Sequence, residues 1–400
     1  MAPTRTARDR TSAGGVVAAG VDLSSQLLLE RLRRAREDRG LSQQSVADSL
    51  GVARTTVIAI ESGQRRLRAE ELLALAHVYD ERLEVLLRPQ PAARRLAAQF
   101  RTQASRLPED AELLIAARTL QALAEDYVAL EQLLEAPLPA RHPPARPLPS
   151  GDLEHEAELL ADEERRRLGL GDGPLPHLRE ILEADVALRV FAIPLPARIG
   201  GLFGFDDQLG ACVAINSQQR WERQRWSLAH EYAHFLTRRD RPEITVNFSH
   251  YQRVPASERF ADHFARHFLM PAAGVSRRWQ ALDQSSKPTV ATLLGQADWW
   301  GASLQAFALR LEQLRLMRGG TYNRLVRQGL VVDEARSLLS LPDHPPDSQV
   351  VGRRMRVLAL TAHAAGKLSE ERLARMLHTD RLGAREAAAQ LLSPLDPGGT

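Results

Sequence analysis

Cysteine is nearly absent from this chain: Cys212 is the only one in 400 residues. An intrachain disulfide framework is therefore excluded, and a reducing compartment, by default the cytoplasm, is expected. Cys212 itself sits in an apolar run and reads as a half-buried small residue rather than a ligand or redox switch. Lysine is almost as scarce. Lys287 and Lys367 are the only two, so arginine supplies the rest of the 53 basic residues. That bias reflects genome composition more than a surface of nucleic-acid contacts, and a net charge of only +3 says little about DNA by itself. Long apolar runs are missing too. None approaches the roughly 18 residues that span a bilayer, so no membrane partner is expected. Arg5, Arg8 and Arg10 lie near the start, but no apolar signal-peptide core follows them.

What is present is enough apolar residue (44%) for globular domains, in a length that suits two or three of them. The most informative stretch is Trp226-Ser227-Leu228-Ala229-His230-Glu231-Tyr232-Ala233-His234-Phe235. It contains His-Glu-x-x-His. On a helix, residues four apart share one face, so His230 and His234 can offer imidazole nitrogens to one metal ion. Glu231 is then placed as general base toward the attacking water, whose pKa zinc lowers to about 7. An ordinary buried helix with two incidental histidines is the competing reading of so short a motif. A third donor weakens it. Downstream, residues 257–271 read as a second helix, with Phe260, Phe264 and Phe268 at turn spacing. Glu258 at its start can supply a carboxylate oxygen, and Asp262, one turn on, can orient a histidine ligand from behind. His263 and His267 form a second i,i+4 pair without the intervening glutamate position, and read as a solvated or supporting face.

These two segments together resemble the ImmA/IrrE family of bacterial zinc-peptidase-like domains. The family pattern is approximately His-Glu-x-x-His, then Glu-x-x-Ala-Asn/Asp-x-Phe-Ala-x-x-x-Leu-Met-Pro. It is matched by His230, Glu231, His234, Glu258, Ala261, Asp262, Phe264, Ala265, Leu269, Met270 and Pro271. The resemblance implies a zincin-like fold with Zn2+ as cofactor, although manganese or iron also suits a His-His-Glu set. His250 and Tyr251, between the two helices, could line the cleft and stabilise an oxyanion, or form an exposed loop pair.

Nearer the start, a helix with Leu28, Leu32 and Ala35 on one stripe ends near Arg39-Gly40. Ser42 caps a short helix over 43–50, Gly51-Val52 turns the chain, and a helix from Arg54 stops at Gly63. Two more helices are expected over 69–79 and 81–87. Helix, glycine turn, helix is a helix-turn-helix. Through Leu41, Gln43, Ala47, Gly51, Val52, Val57, Ile60, Glu61 and Gly63 it resembles the Xre/Cro phage-repressor class. That resemblance implies binding of a double-stranded DNA operator, and a homodimer. Arg54, Thr55 and Thr56 stand at the start of the helix that enters the major groove, with Ala59 one turn on. Gln43 would contact phosphate or support the base readers. Arg65, with Arg66 and Arg68, suits phosphate positioning.

The expected architecture is mainly α and multidomain. Residues 1–22 are a disordered tail and 23–88 a five-helix Xre-type domain. Residues 89–135 are a helical connector and 136–150 a proline-rich linker. Residues 151–318 form an α+β zincin-like peptidase domain with a small sheet, and 319–400 a helical C-terminal module. Gly210–Asn216 is the candidate edge strand for pairing with an extended peptide. Residues 299–311 read as packing, with a fainter likeness to another helix-turn-helix. The expected function is a DNA-binding transcriptional regulator with a zinc-dependent endopeptidase domain. It would cut a repressor-type protein, or the chain itself at 136–149, in a stress or mobile-element response. The alternative is a non-cleaving Xre-type transcription factor or antitoxin whose zincin-like domain senses or binds a partner.

Overall fold

The computed structural model describes residues 26–39, 41–79, 81, 83–87, 111–139, 142–239, 243–246, 254–282 and 288–391. The expected tail over 1–22, residues 89–110 of the expected connector, and His250 and Tyr251 lie outside these residues. The chain divides into two compact units, 1–92 and 93–400.

The first unit contains α1 (Gln26–Asp38), α2 (Gln43–Leu50), α3 (Arg54–Glu61), α4 (Ala69–Val78) and α5 (Leu83–Leu87). Its core gathers Leu28, Leu32, Val46, Ala47, Val57, Ile60, Leu72, Leu75 and Tyr79. Ser42 caps α2 through its hydroxyl, which accepts from the Ser45 N–H at 3.0 Å. Gly51 ends α2 at φ +66°, a left-handed conformation that any other residue adopts only at a cost of about 1 kcal/mol.

The second unit is built on a four-stranded sheet in the order β1-β3-β2-β4: β1 (Leu188–Ile193), β2 (Ile199–Asp206), β3 (Gly210–Asn216) and β4 (Glu243–Val246). β1 runs parallel to β3, and the other pairings are antiparallel. The expected edge strand, Gly210–Asn216, is thus interior, hydrogen-bonded on both sides. The edges are β1, where Ala192 N–H donates to Val350 O at 3.1 Å, and β4, which falls in a stretch the sequence reads as irregular.

Both sheet faces are covered, and the period of two along the strands shows why. Leu188, Val190, Ala192, Ala211, Val213 and Ile215 face one core. It is closed by α7 (Leu153–Arg167), α8 (Leu178–Val186), α9 (Trp221–Thr237), α10 (Ala256–Leu269), α11 (Ala272–Gln280), α12 (Val290–Trp300) and α13 (Leu304–Gln313). Trp300, Phe307 and Leu311 are buried here, so 299–311 is packing. The short helices α14 (Thr321–Arg327) and α15 (Val332–Leu338) pack against this side only in part. Phe191, Ile193, Cys212 and Ala214 face a second core. That core is made by α6 (Ala111–Leu133), α16 (Arg353–Ala364), α17 (Glu370–Leu377) and α18 (Arg381–Leu391).

Four expectations change accordingly. Helix α6 is not a free connector: Leu113, Leu120, Leu123, Tyr127 and Leu130 are buried against the sheet and α16. Its Glu131 bridges Arg189 of β1 and Arg354 of α16 at 2.6 Å each. The C-terminal helices complete this layer rather than forming a separate module. The proline-rich segment is also docked. His142 meets Phe235 edge-on at 5.2 Å, Arg146 N–H donates to Leu236 O at 2.9 Å, and Arg239 donates to Pro143 O at 2.6 Å. Cys212 is fully rather than half buried, and burial pushes its thiol up to about 12.

Candidate metal centre and helix-turn-helix face

Helix α9 has no glycine or proline and is buried on nearly every side from Gln224 to Leu236. Helix α10 starts directly after Pro255, which places Glu258 in its first turn. An aromatic contact sets the two against each other. Tyr232 of α9 packs edge-on to Phe264 (5.7 Å) and Phe268 (5.6 Å), which stack on one another at 5.2 Å. Such pairs add about 0.5–1.5 kcal/mol each beyond their buried area. The Tyr232 hydroxyl donates to Glu164 of α7, which also holds Arg167 at 2.7 Å.

On the opposite side of α9, His230, His234 and Glu258 converge. The two imidazole Nε2 atoms are 3.1 Å apart. The Glu258 oxygens lie 3.3 Å from His230 Nε2 and 3.2 Å from His234 Nε2. Among the described residues this is the set of three donors that all lie within 4.8 Å of one another, and all three side chains are buried. Tetrahedral zinc bound at about 2.0–2.1 Å sets its donors roughly 3.3 Å apart, so this spacing fits such an ion. Two nitrogens and a carboxylate oxygen are also the donor chemistry zinc takes in hydrolytic sites. His230 Nδ1 meets Asp262 Oδ1 at 3.0 Å, and the same oxygen accepts from Trp226 Nε1 at 3.4 Å. That contact fixes the ring with Nε2 toward Glu258. His234 Nδ1 has no hydrogen-bond partner.

Electrostatics are strong because the donors are dry. Burial alone disfavours the His230 cation, yet Asp262 and Glu258 together push it up to about 10. Burial alone would raise the Glu258 carboxyl, but His230 and His234 hold it well below the usual carboxylate range. Glu231 is fully buried with both oxygens unpartnered, and burial pushes it up to about 7 against the pull of the two imidazoles.

Two residues beside Glu231 escape sequence reasoning. A Cβ on Gly201 of β2 would stand 2.3 Å from Glu231 Oε1, so only glycine leaves room for that carboxylate. Thr245 of β4 is buried with an unpartnered hydroxyl and acts on the Glu231 carboxyl. The Gly200-Gly201 pair inside a strand was an available hint, since such glycines mark close approach. Nothing marked Thr245. His263 and His267 stand apart from this donor set, and His267 is buried rather than solvated. A cavity of about 420 Å³ is lined by Arg223, Trp226, Arg266 and Met270 with residues of α12 and α13, and by none of the three donors.

In the first unit, Arg54 and Thr55 are exposed at the start of α3, with Thr56 and Ala59 half-buried on the same helix. Gln43 is turned inward: its amide donates to Glu61 at 2.9 Å, and Glu61 also holds Arg36 at 2.6 Å. Arg65 is paired with Glu71 at 2.7 Å. Arg54 and Thr55 are therefore presented outward, while Gln43 and Arg65 are engaged within the unit.

Comparison with known proteins follows the same division. Residues 32–86 match the helix-turn-helix family, and residues 184–312 match the IrrE N-terminal-like domain of the M78 peptidase family. The chain is similar to an uncharacterized HTH-type transcriptional regulator, YqaE, of Bacillus subtilis (strain 168), with 28% identity over 109 residues. That alignment covers 27% of this chain and 84% of YqaE. It is also similar to the HTH-type transcriptional regulator AnsR of the same organism, with 41% identity over 59 residues, or 15% of this chain and 51% of AnsR. The chain thus joins a segment that matches the helix-turn-helix family to one that matches the IrrE N-terminal-like domain of the M78 peptidases.

Proposed function

We propose that the protein is a DNA-binding transcriptional regulator carrying a zinc-dependent endopeptidase. The observation that carries this reading is the buried His230–His234–Glu258 set with Glu231 one residue along the same helix. Zinc held by His230, His234 and Glu258 would supply Lewis acidity to the reacting water and carbonyl. Glu231 is the general base: it takes the proton of the attacking water and returns it to the leaving amine. Asp262 keeps the His230 ring aimed by accepting from Nδ1. Gly201 leaves the space that the Glu231 carboxylate occupies, and Thr245 lies beside it. Strand β4, the edge nearest Glu231, replaces Gly210–Asn216 as the strand on which an extended substrate would pair.

The substrate is a protein, either a repressor-type chain in trans or this chain itself. The packing argues against self-release at 136–149. A cut there leaves α6 bound through its buried face, so residues before it stay attached. Operator binding falls to Arg54 and Thr55 at the start of α3, with Thr56 and Ala59 behind them. Gln43 supports α3 through Glu61 instead of touching phosphate.

The test is cleavage by the zinc-loaded protein of a co-expressed repressor-type partner, read by intact mass, for wild type and Glu231→Gln. Fragments from wild type alone support the peptidase. Equal fragments from both remove Glu231 from catalysis. A second reading, a regulator that binds without cutting, is favoured by the names of the two relatives, both transcriptional regulators. It predicts promoter binding that responds to zinc, with no fragments.

A further inference from the structure

Helix α10 carries a second pair of histidines, and α7 carries two glutamates at the same spacing opposite them. His267 is 2% exposed, and neither of its ring nitrogens makes a hydrogen bond. A buried imidazole with both nitrogens idle is uncommon, because each loses water without compensation. The surrounding groups are carboxylates. Glu158 Oε1 lies 3.3 Å from His267 Nδ1. Glu154 Oε1 lies 4.0 Å from His267 Nε2 and 4.0 Å from His263 Nδ1.

We propose that Glu154, His263 and His267 form a second divalent-cation site of zinc-like preference, which clamps α7 to α10. Glu158, 3.3 Å from Nδ1, is placed to accept from that nitrogen once Nε2 takes the ion. The layout repeats the logic of the first centre: two histidines one turn apart on one helix, a glutamate from its neighbour, and a further carboxylate behind one ring. Here the glutamates come from α7, so the ion cross-braces two helices instead of facing the β4 edge.

The second set is looser. Unlike those of the first centre, its three donors do not all lie within 4.8 Å of one another, so the two imidazoles must close on each other as the 4.0 Å separations from Glu154 contract to roughly 3.3 Å for tetrahedral binding. Glu154 and His263 are both partly exposed and can rotate inward, whereas His267 is already fixed. Two present partners of Glu154 must yield, Gln313, which donates to Oε1, and Arg266, 3.6 Å from the same atom. Burial, with the charges of Arg310 and Arg266, pushes His267 down to about 3. It is therefore neutral at physiological pH, as a ligand must be. The same two arginines repel a cation, so this site binds more weakly than the first.

The experiment is titration of the full-length chain with zinc chloride, by chelator competition and calorimetry, for wild type, Glu154→Gln and His263→Gln. Both substitutions are at partly exposed positions, and thermal melts in chelator check that each variant folds. Two equivalents are expected in wild type. In each variant the weaker equivalent loses at least tenfold in affinity, while the tighter one is unchanged. Zinc beyond the first equivalent should raise the melting temperature of wild type only. One equivalent in wild type overturns the proposal and leaves the first centre untouched. So does a second equivalent that both variants retain. Should either variant fail to fold, the other decides.

Discussion

Replacing Gly201 by alanine puts a methyl group into the space that Glu231 occupies. The new Cβ would lie 2.3 Å from Oε1, 2.9 Å from Cγ and 3.0 Å from Cδ of that residue. Relief to an ordinary contact of about 3.5 Å asks the carboxylate to move by roughly 1 Å. Neither side can yield freely. Glu231 is fully buried, and Gly201 is registered against Ile215 on one side and Thr245 on the other. Overpacking of this kind costs about 1–3 kcal/mol, and misplacing a catalytic group by about 1 Å costs on the order of 100-fold in rate. Zinc binding should survive, because Glu231 is not among the donors. Gly200→Ala is the control: its Cβ would meet Ser227 Oγ at 3.1 Å, a milder contact away from the carboxylate. Thermal melts, elemental analysis and cleavage rate on the three proteins check this. A Gly201→Ala protein with wild-type melting and turnover would refute the reasoning, as would one that loses its zinc.

Leu123→Ala in α6 removes a side chain that is 1% exposed, and should destabilise the second unit by about 2–5 kcal/mol in chemical denaturation. A true connector would show almost none of that loss. Arg54→Ala should weaken binding to the protein's own promoter and flatten its salt dependence by about one charge, measured by fluorescence anisotropy. Arg65→Ala should do less, because Arg65 is already committed to Glu71. Burial between Phe205 and Phe235, with the charge of Arg239, lowers the pKa of His142 below its ordinary value. The unfolded chain therefore takes up that proton first. The stabilising contribution is complete above about pH 6.5 and is lost as pH falls below it. Proteolysis of the 142–149 segment should quicken from pH 7 to pH 5, and His142→Phe should remove the dependence.

The donor set was legible because its chemistry is local. His-Glu-x-x-His fixes two ligands by helical period alone, and the Phe260, Phe264, Phe268 stripe marks the second helix, in whose first turn Glu258 falls. The helix-turn-helix was legible for the same reason, through Ser42, Gly51 and the apolar spacing between them. Long-range packing was not. The stripe along α6 says that a partner exists but not which one. A clue lay in β1 and β3, where Val190-Phe191-Ala192 and Ala211-Cys212-Val213-Ala214 are apolar without alternation. A strand apolar on both faces needs cover on both, and α6 with the C-terminal helices supplies the second. Strand β4 was missed because four residues inside a polar stretch carry too little pattern. The inward turn of Gln43 and the burial of His267 depend on Glu61 and on α7, which no spacing within their own helices reveals.

The account rests on one ion held by His230, His234 and Glu258. Chelator competition with zinc on wild type and Glu258→Ala tests it most directly. A single tight equivalent in wild type that disappears in the variant is the predicted result. The same tight equivalent in both proteins, or none in a folded wild type, would contradict it.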